Sequence, residues 1–376
     1  GASPVFGMTG TPPGFGVNGS GQFVVTNASV FDYETNSTLS GVYIVTSQSE
    51  QKAATITITL ADVDETPEAV IPTTYNEFAG SSTGGCDDGS GDNTRFTSPY
   101  FGYAHVPDGF PWSLYVSDLA CGVRKIDVTA DGSQTSTTMF ANSNSRDWEY
   151  TDMVYSADAS YLVMVYRGTG NGNGYVLSVT WVDNGNNGSL INNFSSFSLS
   201  SPEGIARDAN GNIYVTETRT IRKFSVGTFG LGTLLATYGD AGNASSTDGT
   251  LATATFTRIR DVQVNAEGVI YVADLHSVRK VDEAANTVST VASGFDDIRA
   301  IGLLPNGNII VADHGNSKIR RIDVSTGEVS TLIQDLADSP PTGIMVKSNE
   351  EFYFTRYGQP KLYKAIIDEG GCNVCR

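Results

Sequence analysis

The chain has 376 residues, 39% of them hydrophobic and 41 of them glycine, enough apolar material for a buried core and too much for a wholly disordered chain. Its 41 acidic residues against 23 basic ones leave a net charge of −18, a field that repels phosphate backbones and anionic membrane surfaces, so no nucleic-acid partner is expected. No apolar run has bilayer-spanning length, which argues against membrane insertion, and the length suggests two or three domains.

Gly1 opens the chain without a basic-plus-apolar leader, which reads as a processed or trimmed start. Residues 1–71 hold Thr, Val and Asn around a Pro12–Pro13 loop, and 42–47 and 53–60 read as two long strands. FDYE at 31–34 and DVDETP at 62–67 accompany them. Together these features resemble the C-terminal half of a cadherin-type repeat. The resemblance implies an incomplete β-sandwich whose strands lack their partners. It also implies calcium held by the hard oxygen donors Asp32, Glu34, Asp62, Asp64 and Glu65, the one cofactor expected of this chain.

An internal repeat then takes over. NGNIYVTE at 210–217 is followed by IRKFSV at 221–226. The order returns as EGVIYVAD (267–274) with VRKVDE (278–283), as NGNIIVAD (306–313) with KIRRIDV (318–324), and as SLYVSD (113–118) with VRKIDV (123–128). Looser copies are YLVMVYR (161–167) with GYVLSVTW (174–181) and EEFYFTR (350–356) with KLYKAII (361–367). Spacings of roughly 40–57 residues indicate propeller blades or a solenoid. Each copy parses as an inner strand, an Asn-Gly or Glu-Gly hairpin, the IYV strand, the RKI strand and a Thr/Val outer strand. Over about 73–368 the pattern resembles the NHL-repeat β-propellers. The fold expected is therefore all-β: a six-bladed propeller over 72–368, preceded by the 1–71 segment and followed by a cysteine-containing tail at 369–376. The last copy lacks an outer strand, and TTYNEFAG at 73–80 is expected to supply it and close the ring.

Three histidines occur. His276 and His314 fall in equivalent turns of neighbouring blades, and His105 falls in an inner strand. In amidating lyases, which this propeller resembles, histidines converge on a central metal, but turn histidines in a repeat more often cap or pack. The recurring acids Asp118, Glu217, Asp274 and Asp313 read as acceptors of local backbone N–H groups. Recurring Arg124, Arg222, Arg279 and Arg320 read as blade-to-blade donors, because a catalytic group has no reason to appear in every blade. No GxSxG, HExxH, P-loop or EF-hand pattern stands in its proper context. CDDGSGDN, beginning at Cys86, lacks the ligand spacing of a calcium loop. No catalytic residues are assigned, and the chain is expected not to be an enzyme.

Cys86 and Cys121 lie in loops expected on one face of the propeller and pair there as a disulfide. Cys372 and Cys375 form a terminal C-x-x-C, read as a local disulfide or the start of a further Cys-rich module. Sequons at Asn18, Asn27, Asn36, Asn187, Asn193 and Asn243 suit N-linked glycans. Cysteines, acidity, sequons and the cadherin-like flank point outside the cell. The function expected is that of an extracellular structural or adhesive protein. Its propeller would be a rigid platform for protein partners, and its incomplete N-terminal sheet would support self-association into a polymer. The rival is a secreted propeller enzyme, resembling amidating lyases or strictosidine synthase-like proteins, with a metal in the channel.

Overall fold

The computed structural model describes residues 5–9, 15–17, 23–25, 38–47, 50–59, 69–105, 112–141, 148–155, 161–168, 173–180, 199–227 and 230–368. These residues form strands and one 3-10 turn, Gly91–Asn93, with no α-helix among them. The chain divides into two compact units, Gly1–Pro67 and Glu68–Arg376.

In the first unit the strands are β1 (Val5–Thr9), β2 (Phe15–Val17), β3 (Phe23–Val25), β4 (Thr38–Ser47) and β5 (Glu50–Thr59). Rich in Thr, Val and Ile, β4 and β5 pair along their whole lengths, from Thr38 opposite Thr59 to Ser47 opposite Glu50. β1 adds to β4, giving the order β1-β4-β5, while β2 and β3 form a separate ribbon.

The second unit is an all-β propeller. It opens with β6 (Thr73–Ala79) and a blade built from β7 (Gly89–Ser90), β8 (Pro99–His105), β9 (Trp112–Asp118), β10 (Gly122–Val128) and β11 (Gln134–Ala141). Then come β12 (Trp148–Tyr155), β13 (Tyr161–Gly168), β14 (Asn173–Thr180) and β15 (Leu199–Ser200). They are followed by β16 (Ile205–Arg207), β17 (Ile213–Thr216), β18 (Ile221–Gly227) and β19 (Gly230–Tyr238). The next sheet is β20 (Ile259–Val264), β21 (Ile270–Asp274), β22 (Ser277–Asp282) and β23 (Thr287–Ser293). After it stand β24 (Ile298–Leu303), β25 (Ile309–Asp313), β26 (Lys318–Ile322) and β27 (Val329–Ile333). The last is β28 (Pro341–Val346), β29 (Glu351–Arg356) and β30 (Leu362–Ile367), completed by β6.

Each sheet is an antiparallel meander, and the inner strands β8, β12, β16, β20, β24 and β28 touch in succession, with β28 returning to β8. The second strands β9, β17, β21 and β25 are buried at every residue, because sheets pack on both of their faces. That is why they read as continuous apolar runs rather than alternating ones. Between β20 and β21 and between β24 and β25 the hairpins turn at Gly268 (φ 83°) and Gly307 (φ 91°), a conformation a side chain disfavours. The core lies between neighbouring sheets: Ile310 and Ala312 of β25, for instance, share a cluster with Phe352 and Phe354 of β29.

Closure comes from upstream. β6 pairs with β30, placing Tyr75 opposite Ala365. Phe78 packs edge-on to Tyr353, with ring centroids 4.6 Å apart, and stacks at 6.4 Å on Trp112 of the first blade. The boundary between units falls four residues before the expected one. Ile71 N–H donates to the Thr331 carbonyl, and Thr331 N–H donates to the Ala69 carbonyl, so this short segment belongs to the propeller.

Candidate functional site

The repeated acids and arginines are structural. Asp118 accepts the backbone N–H groups of Thr97 (2.8 Å) and Ser98 (3.0 Å), and Asp274 those of Thr257 and Arg258 (both 2.8 Å). Asp313 accepts from Asp296 N–H, and Glu217 from Ser200 N–H. Each carboxylate thus fastens the loop that enters its own blade. Arg279 donates to the Thr255 carbonyl and to Asp248, and Arg124 to the Arg95 and Asp87 carbonyls and to Asp88, tying down the long loop between blades. Arg222 pairs with Glu217 and Arg320 with Asp313. Cys86 and Cys121 are joined by a disulfide that anchors one of these loops.

A different set of residues meets at the mouth of the channel. Five of the six inner strands carry a register shift near their start, and the residues that drop out of the ladder there are Arg260 in β20, Arg299 in β24, Thr151 in β12, Tyr100 and Phe101 in β8, and Thr342 and Gly343 in β28. Such bulges re-aim side chains. Just ahead of β16, Glu203 occupies the corresponding place. Glu203, Arg260, Arg299 and Tyr100 join across blade boundaries. Glu203 binds Arg258 at 3.0 Å and Arg260 at 3.2 Å, while Arg260 also reaches Asp297 at 2.8 Å. Asp297 in turn binds Arg299 at 2.7 Å, and Arg299 donates to the Tyr100 hydroxyl at 3.1 Å.

Three guanidinium groups thus face two carboxylates, a local positive excess in a chain of net charge −18. Burial raises the Asp297 carboxyl, but Arg260 and Arg299 outweigh it and hold the group below the usual carboxylate range. Burial works against the charge of Arg299, and Tyr100 and Asp297 more than restore it. Arg260 is nearly enclosed, and its Nε–H has no hydrogen-bond partner among the described residues. Beside the network His314 donates from Nδ1 to the Pro341 carbonyl at 3.0 Å and meets the exposed Tyr357 edge-on at 5.9 Å. Burial pushes the His314 imidazole below its ordinary value, and the Arg299 and Arg260 charges push the same way.

Further along the axis lie two adjoining cavities of about 230 and 570 Å³ that share Gly102, Gln263 and Val264 on their walls. The larger is within the size range of small-ligand sites and ends among the hairpins that carry Glu267, Asn306 and Lys347. Asp152 lines the smaller one. Asp152 accepts N–H bonds from Met153 and from Ile205 of the next blade. Asp261 does the same with Val262 and Ile301. Burial drives both carboxyls up, Asp261 to about 7, and the Asp261 charge raises Asp152 further.

Among the candidates named from sequence, His276 stays in its turn, with Nδ1 donating to the Phe295 carbonyl at 3.1 Å. His105 closes β8. Among the described residues no three His, Cys, Asp or Glu side chains gather in a metal-ligating group. Asn243 is exposed on an inter-blade loop. The calcium candidates Asp32, Glu34, Asp62, Asp64 and Glu65 lie outside the described residues, as do Cys372, Cys375 and the sequons at Asn18, Asn27, Asn36, Asn187 and Asn193. Sequence reasoning missed Glu203, Arg258, Arg260, Asp297 and Arg299. Arg258, Arg260, Asp297 and Arg299 stand in TRIRDV and DDIRAI and Glu203 in SPEGIA, polar positions at strand starts that nothing in the local sequence sets apart.

No family model matches this chain, and no curated protein matches it. Solved structures share its fold. An auxiliary nutrient binding protein from Bacteroides thetaiotaomicron is 14% identical with a TM-score of 0.54, covering 97% of this chain and 91% of its own. A Bacteroides thetaiotaomicron protein of unknown function is 13% identical with a TM-score of 0.54, covering 88% and 82%. Virginiamycin B lyase from Staphylococcus aureus is 12% identical with a TM-score of 0.48, covering 79% and 100%. The last of these corrects the expectation that the chain is not an enzyme. That expectation rested on a missing catalytic motif alone, and an absent motif is no ground for a non-enzyme. At these identities the likeness is one of fold, and it establishes this chain as a β-propeller.

Proposed function

We propose that this chain is an extracellular binding module: a six-bladed, NHL-type propeller that serves as a rigid platform and takes its protein partner at the arginine-bearing mouth. One observation carries the reading. Along the blades the Asp and Arg staples repeat, whereas the residue at the start of the inner strand changes from Tyr100 through Thr151, Glu203, Arg260 and Arg299 to Thr342. Variation at one position on a repeating frame is what a recognition surface needs, since the frame supplies rigidity and the variable side chains supply specificity. Arg258 is 42% exposed and Tyr357 63% exposed, an arginine and an aromatic of the kind that anchor interfaces. The Cys86–Cys121 bridge and the exposed Asn243 sequon support an oxidising, glycosylating compartment. The N-terminal unit, as a cadherin-like half-repeat with calcium at its acidic loops, belongs to the same proposal.

The test is capture from the extracellular fraction of the source organism, with the intact chain as bait. A protein retained by the wild type and lost from an Arg258→Glu, Tyr357→Ser double variant, yet kept by Asp131→Asn on a rim hairpin, supports the mouth as the docking face. Retention by all three baits refutes it.

A further inference from the structure

The arginines at the mouth hold more donors than their neighbours accept. A guanidinium is a planar fork of N–H groups that keeps its charge and accepts no hydrogen bond. Arg258 reaches Glu203 through one terminal nitrogen at 3.0 Å, and its side chain has no other partner among the described residues. Arg260 uses one terminal nitrogen on Glu203 at 3.2 Å and the other on Asp297 at 2.8 Å. Arg299 is engaged through every nitrogen, by Asp297 and the Tyr100 hydroxyl. No further carboxylate pairs with these arginines among the described residues. Asp296, the neighbouring acid in the chain, turns to His276 at 3.5 Å instead.

Arg260 sharpens the deficit. Its side chain is only 9% exposed, and its Nε–H meets no acceptor among the described residues. Arg124, Arg279 and Arg320 leave an Nε–H unpartnered too, but each lies over a phenylalanine ring, that of Phe96, Phe256 or Phe295. No such ring lies beneath Arg260 among the described residues. A buried donor without an acceptor is costly, and an incoming acceptor removes that cost on binding. Arg258, on the solvent side of Glu203, is the part of the cluster that an outside group can reach.

We propose that the mouth reads a single carboxylate carried by its protein partner, seated on Arg258 in front of Arg260. This rests on the mouth being the docking face and adds the group that the face recognises. Two oxygens of a carboxylate match the fork of a guanidinium, which gives both strength and orientation. Charge narrows the partner further. A chain of net charge −18 repels a strongly acidic segment before contact, so the carboxylate stands alone on a segment that is otherwise neutral or basic. A free C-terminus and an isolated aspartate or glutamate both meet that description.

An array of random hexapeptides, each shown with a free C-terminal carboxylate and again as the C-terminal amide, is probed with the intact chain at about 100 µM. The wild type should bind a subset of neutral or basic sequences. Each should lose about tenfold or more when its one carboxylate becomes an amide, the scale of a hydrogen bond to a charged group. Loss on amidation of the terminus identifies a C-terminal ligand, and loss on changing an internal glutamate to glutamine identifies a side chain. Arg258→Gln should bind the acid and amide forms equally weakly, and Arg258→Lys should keep part of the difference. The peptide substitution reads the wild type alone, so it decides the matter even if a variant fails to fold. Binding that survives loss of the carboxylate yet disappears in the Arg258→Glu, Tyr357→Ser variant would overturn this proposal and leave the mouth as the docking face. Binding indifferent to both would overturn the two together, and a wild type with no carboxylate-dependent binding at that concentration would overturn this one.

Discussion

Arg279 lies over the ring of Phe256, its guanidinium carbon 5.4 Å from the centroid, and Arg124 lies over Phe96 at 5.1 Å. The two loops that carry these phenylalanines come from distant parts of the chain and are built alike. Both arginines have fully buried side chains, both bind an aspartate of the loop, and Asp274 forms a second pair with Arg279. Removing either arginine uncovers buried acceptors as well as an aromatic face. Arg279→Met should therefore lower stability by about 3–5 kcal/mol, the scale for breaking one side of a buried pair. Urea unfolding monitored by tryptophan fluorescence measures it, and a loss below about 1 kcal/mol would show that the loop is held by other means.

The Cys86–Cys121 bridge spans 35 residues and joins the entry loop to the turn after β9. Its reduction should cost about 2–4 kcal/mol. A Cys86→Ser, Cys121→Ser variant should show the loss in its melting temperature, with hydrogen exchange rising first in residues 81–98.

Asp152 and Asp261 predict how stability depends on pH. The folded pKa of Asp261, about 7, lies above its ordinary 3.8, so the fold favours the protonated acid. Below about 4 both folded and unfolded chains hold the proton, and this group costs nothing. As pH rises towards 7 the unfolded chain releases it first, and stability falls. Asp152 is raised as well and acts in the same direction. Asp297 and Glu351 are lowered, and their contribution is lost only as pH falls below the ordinary carboxylate range. Between pH 5 and 7.5 the lowered His314 works the other way, one imidazole against the raised carboxyls. The urea midpoint of the wild type should still decrease over that range, and Asp261→Asn should flatten that slope. An equal slope in both proteins would remove Asp261 as its source.

Closure by β6 has its own test. Phe78 sits among Tyr353 and Trp112, where the last blade meets the first. Phe78→Ala should cost about 3 kcal/mol, towards the lower end for aromatic truncation because the ring is only partly buried. The loss should appear in global unfolding, since opening this seam frees two sheet edges at once.

Much of the fold is legible in the residue types themselves. A half-buried or doubly buried strand imposes its own residue types, and a hairpin demands Gly at positive φ, so IYVAD, RKI and Asn-Gly announce themselves. Their recurrence marks the blade. The missing outer strand of the last copy likewise pointed to 73–80, because four strands were needed and three were written.

The mouth was not legible, for a physical reason. Glu203, Arg260, Arg299 and Tyr100 are spread over some 200 residues and look like ordinary polar positions in weak strands. Packing of successive blades brings Glu203, Arg260 and Arg299 into one chain of contacts, and ring closure adds Tyr100. Bulges re-aim Arg260, Arg299 and Tyr100. A bulge is one residue of slack in a hydrogen-bond register, set by both strands together rather than by either alone. The same holds in the outer strands: in β18–β19 the bulge falls at Leu235, which is exposed, and in β26–β27 at Leu332, which is buried, and only the paired register decides which. Local sequence thus determined the strands, their turns and their number per repeat, because backbone and burial preferences act over a few residues. Tertiary structure alone decided which side chains share a site, because that depends on registers and closures that no short segment contains.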